Sequence, residues 1–178
     1  MSQETIARNY AEALFELGKK SSQLEEYAVL LDAVAGAIEA SPRAQMVFAS
    51  PRVTKSEKAR LLANSLPHAP REFVLFMQAV VKRGRQFLFR PIAGQYLALV
   101  DLDFNRLRAD VTLAREPDEA LRESIRQALE RASGKEVIAR YHLDPGILGG
   151  TIVRVGERFY DGSVKRRMTM LRRQLLSK

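Results

Sequence analysis

Few residue pairs in this sequence have the spacing that acid–base chemistry requires. His142-Leu143-Asp144 places an imidazole two positions from a carboxylate, the arrangement of a general base and its orienting acid. The surrounding alternation of Val137, Ala139, Tyr141 and Leu143 predicts a half-buried strand, which puts His142 on the polar face with no nucleophile beside it. The other histidine, His68, precedes Pro70 at a helix start, where a loop role is expected ahead of metal binding. The absence of cysteine excludes disulfides, thiolate chemistry and cysteine-bound zinc. Acidic pairs such as Glu25-Glu26 and Asp118-Glu119 fall on exposed faces or first turns. Gly146, Gly149 and Gly150 lead into Thr151-Ile152-Val153 and not into the Lys-Ser/Thr of a phosphate-binding loop, and no dinucleotide-binding glycine spacing occurs. These glycines read as turn formers. The residues do not support an enzyme, and no cofactor, metal or small-molecule substrate is expected.

Charge offers more. The 178 residues carry 29 Lys/Arg against 21 Asp/Glu, a net +8, of which residues 1–105 hold +2 and residues 106–178 hold +6. The last fourteen residues include Lys165, Arg166, Arg167, Arg172, Arg173 and Lys178 and no acid. Such an end can meet nucleic acid, anionic lipid or an acidic protein; a solvated basic face and a partner surface both fit it. A nucleic-acid surface would interleave aromatics with cations. The terminal helix has no aromatic, whereas Lys82-Arg83-Gly84-Arg85 is followed by Phe87 and Phe89. That stretch also reads as a basic helix end followed by core aromatics. A basic helical nucleic-acid-binding adaptor is therefore the alternative function, with a small hydrolase third.

The elements that position these residues divide the chain in two. With 46% hydrophobic and 28% charged residues it has the composition of a folded globular protein. Its longest apolar stretch, Tyr27 to Ile38, is interrupted by Asp32 and spans about half of the ~20 residues a membrane crossing needs. Residues 1–4 lack the basic and apolar segments of a secretory signal, so a bacterial cytoplasmic location is expected. Apolar residues at helical spacing run through Ile6, Tyr10, Ala13, Leu14 and Leu17, then Leu24, Ala28, Leu31, Ala35 and Ile38 up to Ser41-Pro42. A short helix around Ala44–Phe48 ends at Ser50-Pro51. Thr54 and Glu57 form a capping box, and Pro70 opens a helix through Phe73, Phe76, Met77 and Val80 to Gly84. A last long helix carries Ile92, Tyr96, Leu99, Val100 and Leu107. Six helices predict an all-α bundle over residues 1–105.

From about Arg108 the period changes to two. Ala109–Ala114 reads as a strand, Pro117-Asp118-Glu119 opens a helix with the stripe Leu121, Ile125, Leu129 and Ala132, and Gly134 closes it. Two more strands, Thr151–Val155 and Arg158–Tyr160, flank a turn at Gly156-Glu157, and a final helix aligns Val164, Met168, Leu171 and Leu175 on one face. The fold class is α+β overall: the bundle is followed by a small α+β domain, residues 106–178, with a short sheet and two helices. The charged, uninterrupted junction near 101–110 predicts a stiff connection.

Val137 to Val164 reads VIARYHLDPGILGGTIVRVGERFYDGSV. It resembles the C-terminal motif of the delta subunit of rotary ATP synthases, the bacterial counterpart of the mitochondrial oligomycin-sensitivity-conferring protein. Asp144-Pro145, Gly149-Gly150, Ile152, Val153, Gly156 and Asp161-Gly162-Ser163-Val164 carry the match. Ile6-Ala7-Arg8-Asn9-Tyr10-Ala11-Glu12-Ala13-Leu14-Phe15 is similar to the family's opening helix, although the family often has proline at Asn9. Ser50-Pro51 before Lys55 and Arg83-Gly84-Arg85 before the long helix also agree, while Leu113–Pro117 is more charged than usual.

The resemblance implies a non-catalytic stator part, with catalysis on the beta subunits. Its helical domain would hold the N-termini of the alpha subunits in a groove between the first and fifth helices, lined by Tyr10, Ala13, Leu14, Leu75, Gln78 and Ala79. Internal packing of the same helices is the competing reading for each of them. The C-terminal domain would join the peripheral-stalk b subunits, with Arg166, Arg167, Arg172 and Arg173 as contacts. The motif glycines would shape that domain, and Asp161 and Ser163 would cap its last helix. Partners would then be alpha and b, with no nucleic acid and no membrane insertion, at the cytoplasmic face of the bacterial membrane.

Overall fold

The structure, a computed structural model, describes residues 2–156 and 158–176, with side chains described as far as Arg173. Glu157, Lys178 and the side chain of Leu175 lie outside the described residues. Internal contacts divide the chain into two units, Met1–Val100 and Asp101–Lys178.

The first unit is built from α1 (Gln3–Ser21), α2 (Leu24–Ala40), α3 (Pro42–Ala49), α4 (Lys55–Asn64), α5 (Arg71–Lys82) and most of α6 (Phe89–Asp103). The helix ends follow from local chemistry. Ser41 Oγ accepts the Ala44 amide while Pro42, which has no amide proton to satisfy, begins α3. Thr54 Oγ1 accepts the Glu57 amide at 3.2 Å and Glu57 returns the bond to the Thr54 amide at 2.8 Å. The apolar stripes converge on one core in which Leu14, Tyr27, Leu31, Phe73, Met77, Ile92 and Tyr96 are fully buried. Burial of side chains this large contributes about 1.5–3 kcal/mol each. The Tyr96 hydroxyl donates to the Leu24 carbonyl at 3.0 Å, and a Cβ on Gly18 would meet that hydroxyl at 2.8 Å, so α1 closes on α6 only because residue 18 has no side chain.

Two polar ties reinforce the bundle. Arg90 of α6 pairs with both Asp32 and Glu39 of α2. Lys58, a residue type expected at the surface, is buried and donates from Nζ to the Phe48 and Ser50 carbonyls, each at 2.8 Å. A cation placed on the free carbonyls at the end of α3 also suits the helix dipole.

The second unit contains β1 (Arg106–Leu113), α7 (Glu119–Ser133), β2 (Glu136–Leu143), β3 (Thr151–Val155), β4 (Arg158–Asp161) and α8 (Val164–Leu176). The sheet order is β2-β1-β3-β4; β1 and β2 run parallel through the α7 crossover, and the other pairs are antiparallel. Ile125 and Leu129 of α7 pack on Leu107, Ala109, Val111, Val137 and Tyr141.

The chain is thus helical with a small four-stranded sheet and C-terminal helices, eight α-helices in all among the described residues. The six-helix picture of the first half needs amendment. A 3-10 turn at Gln86–Leu88 leads into α6, and the last residues of α6, from Asp101, group with the second unit. Leu107, expected on the long helix, lies instead in β1, where its side chain joins the sheet core. The helix stops short of it because the chain reverses at Asn105, whose φ is 52°.

Candidate partner surfaces

The first surface lies along α1 and α5. Helical spacing puts Tyr10 and Ala13 on one stripe of α1, and Leu75 and Ala79 on one stripe of α5. Tyr10 meets Phe76 edge-to-face with ring centroids 6.1 Å apart, which joins the two helices and leaves Tyr10 half-buried. Ala13, Leu75 and Ala79 are exposed, Leu75 by 52%, so an apolar strip with two small residues stays open beside the joint. Gln78 is half-buried, with its amide nitrogen 3.4 Å from the Ala59 carbonyl. Leu14 requires correction as a groove residue: it has no accessible surface and belongs to the core under α1. Its position one residue beyond Ala13 turns it about 100° toward the interior.

Arg85 completes the end of this strip. Its guanidinium carbon lies 5.4 Å from the Tyr10 ring centroid, and Nη1 donates to the Tyr10 hydroxyl oxygen at 3.3 Å. Seventy-five residues separate the pair, so no local spacing signals it. Phe87, expected as a core aromatic, is 66% exposed, whereas Phe89 is buried.

In the second unit the motif residues build a corner. Asp144 accepts the Gly146 amide at 2.8 Å and leads into the short turn begun by Pro145. Gly149 accepts the Val164 amide on its carbonyl at 3.0 Å, and Gly162 donates to the Thr151 carbonyl at 3.0 Å. Gly156 sits at the turn after β3 with φ 56°. Ser163 Oγ accepts the Arg166 amide at 3.2 Å and so caps α8, while Asp161 holds the amide of Ser163 itself at 2.9 Å. Hydrogen bonds from Ser163, side chain first and backbone second, hold the Asp161 carboxyl below the usual carboxylate range.

This corner projects α8. Arg166, Arg167, Arg172 and Arg173 are all exposed, and none has an ion-pair partner among the described residues. The apolar stripe aligned on one face is open as well: Met168 and Leu171 are 57% and 58% exposed, beside exposed Val164 and Leu148. The period of the sequence showed which residues align but not what covers them.

The pairing of His142 with Asp144 read from the sequence does not form among the described residues. The His142 ring lies on the exposed sheet face 3.4 Å from Asp110, away from Asp144, and His68 is in an exposed loop. Among the described residues no group of three or more His, Cys, Asp or Glu is placed to hold a metal, and no helix is long and apolar enough to cross a membrane.

A family model described as ATP synthase delta (OSCP) subunit matches residues 6–175. A protein named ATP synthase subunit delta from Gemmatimonas aurantiaca is 39% identical over 97% of this chain and 94% of its own length. Its namesake from Desulforamulus reducens is 34% identical over 100% of this chain and 99% of the relative. In fold, the chain is similar to a chain in the cryo-EM structure of the Toxoplasma gondii mitochondrial ATP synthase hexamer, with a TM-score of 0.69, 20% identity, and coverage of 96% of this chain and 97% of that one.

Proposed function

The chain belongs to the ATP synthase delta (OSCP) family, a non-catalytic stator component of the peripheral stalk, and on that premise we propose that it ties the alpha/beta hexamer to the b subunits. In this role it resists the torque of the rotor during proton-driven ATP synthesis, as a peripheral protein at the cytoplasmic face of the bacterial membrane.

What supports the reading is that each unit carries its own uncovered apolar surface. The strip of Tyr10, Ala13, Leu75 and Ala79 on α1 and α5 suits the apolar face of one amphipathic helix, a recurrent mode of peptide recognition. We assign it to an alpha N-terminus, with Gln78 at its margin. The second surface, on α8, combines Met168 and Leu171 with four exposed arginines and suits an acidic amphipathic segment of b. On α8 a nucleic-acid surface has less behind it, because that helix has no aromatic over its described length on which a base could stack.

A fluorescence-anisotropy titration with a peptide of the first ~20 residues of the same organism's alpha subunit tests the first assignment, since a helix of that length spans the strip. One-to-one binding that Ala79→Trp abolishes supports it. Binding unaffected by both Ala79→Trp and Ala13→Trp would refute it.

A further inference from the structure

We infer that Arg85 recognises a carboxylate on the segment bound along α1 and α5, and so fixes the direction in which that segment lies. The inference rests on assigning that strip to a bound alpha segment. It adds a specific residue and the chemistry that residue selects.

The backbone places Arg85 firmly. At the end of α5 the Gly84 amide donates to the Val81 carbonyl at 2.8 Å and the Arg85 amide to the Val80 carbonyl at 3.0 Å. The side chain then lies over the Tyr10 ring with Nη1 on the phenol oxygen. A guanidinium carries five N–H donors in a planar fork, and Tyr10 uses one of them. Of the other partially buried arginines, Arg108 pairs with Asp101 at 2.6 Å and Arg106 with Glu136 at 2.9 Å, whereas Arg122 lies over Tyr141 and donates to the Pro117 carbonyl. Half-buried Arg126 and exposed Arg90 each bind two carboxylates. Arg85 is half-buried, yet no carboxylate among the described residues pairs with it.

Its surroundings sharpen the contrast. Lys55 folds over the adjacent Gly84, its ammonium 3.6 Å from where a Cβ would stand, and Lys82 and Arg83 immediately precede in the chain. Lys55 and Arg85 therefore flank Gly84 at the end of the strip, with Lys82 and Arg83 next to it in the chain, and no acid is paired to any of the four among the described residues. Like charges held together raise the energy of the free protein, and an arriving anion relieves it. A planar fork with vacant donors beside an aromatic face suits a carboxylate better than a diffuse negative field. The matching segment carries an Asp or Glu bordering its apolar face, and the reversed orientation would leave that acid away from Arg85.

The test uses the full chain and the alpha N-terminal peptide, with affinities measured at about 50 mM and about 500 mM salt, which span strong and weak screening. Arg85→Gln is expected to weaken binding about tenfold at low salt, the loss of one charge-assisted bond, and by much less at high salt. Converting the peptide's Asp and Glu singly to amides should reveal one whose loss matches that of Arg85→Gln and is not additive with it. Tyr10→Phe keeps the ring and should leave the salt dependence intact. An equal loss at both salt concentrations, additive with every peptide change, would show that Arg85 only props Tyr10 and would overturn the inference. Normal peptide binding by Arg85→Gln would overturn it alone, whereas no binding by the unsubstituted protein would overturn the alpha assignment with it.

Discussion

Gly150 and Gly162 meet backbone to backbone: a Cβ added at Gly150 would lie 2.5 Å from the Gly162 carbonyl oxygen and 3.1 Å from the Ser163 Cα. The contact explains the glycine at 150, whereas a Cβ at Gly162 would instead meet the Thr151 carbonyl oxygen at 3.1 Å. Gly150 also has φ 80°, where side chains are strained. The contact fixes where β4 ends and where Ser163 caps α8, so the aim of α8 depends on it.

Gly150→Ala should therefore destabilise the second unit by about 3 kcal/mol, combining positive-φ strain with a backbone clash. Chemical denaturation followed by sheet and helix signals checks this. Gly156→Ala at φ 56° has nothing within 4 Å of its Cβ and should cost only about 1 kcal/mol of conformational strain. Equal losses in the two variants would contradict the role given to the Gly150–Gly162 contact.

On the α1–α5 strip, Ala13→Trp and Ala79→Trp should leave the melting temperature within a few degrees, because both sites are exposed. Peptide affinity should nonetheless fall by at least about tenfold as the indole fills the site. Leu14→Ala should do the opposite, destabilising the unit by about 2–5 kcal/mol through a core cavity. Thermal melts and titrations on the three variants separate lining from core.

For α8, binding of b should weaken with salt through the four arginines yet persist in part, because an apolar stripe contributes independently of screening. Met168→Asp should reduce affinity at every salt concentration. Complete loss of binding in high salt, with Met168→Asp harmless, would mean that charge alone holds the partner.

Acid should loosen the second unit. The folded Glu123 carboxyl is drawn down to about 2 by hydrogen bonds from Arg126 and then Gln127, and Asp161 is lowered by Ser163. A carboxyl depressed on folding contributes stability that is full above its ordinary range and is lost as pH falls toward its folded value. Stability should accordingly decline between about pH 4.5 and 2. Asp161→Asn should be less stable than the parent at pH 7, with a smaller gap at an acid pH where the parent's depressed Asp161 carboxyl begins to take up its proton. A gap of the same size at both pH values would remove Asp161 from this account.

How much of this was legible in the sequence depended on range. Thr54-Lys55-Ser56-Glu57 specified its helix start because a capping box is complete within four residues. The alternation of β2 was visible for the same reason. Leu107 was misplaced because helix and strand patterns overlap at a junction, and the reversal at Asn105 carried no glycine or proline to announce it. The order β2-β1-β3-β4 and the Arg85–Tyr10 contact were not readable, since pairing between distant segments leaves no periodic trace. Leu14 and the α8 stripe show the limit from the other side. Periodicity groups residues on a face, but the surrounding elements decide whether that face is buried, as at Leu14, or open, as at Met168.

The central claim is that one molecule holds both partners at once. Sedimentation velocity of the protein mixed with the alpha N-terminal peptide and a soluble fragment of b, each carrying a different dye, tests it most directly. The account predicts a ternary species in which both dyes co-sediment with the protein, with Ala79→Trp removing only the peptide and Met168→Asp only the b fragment. Competition between the two ligands, or loss of both with either substitution, would contradict it.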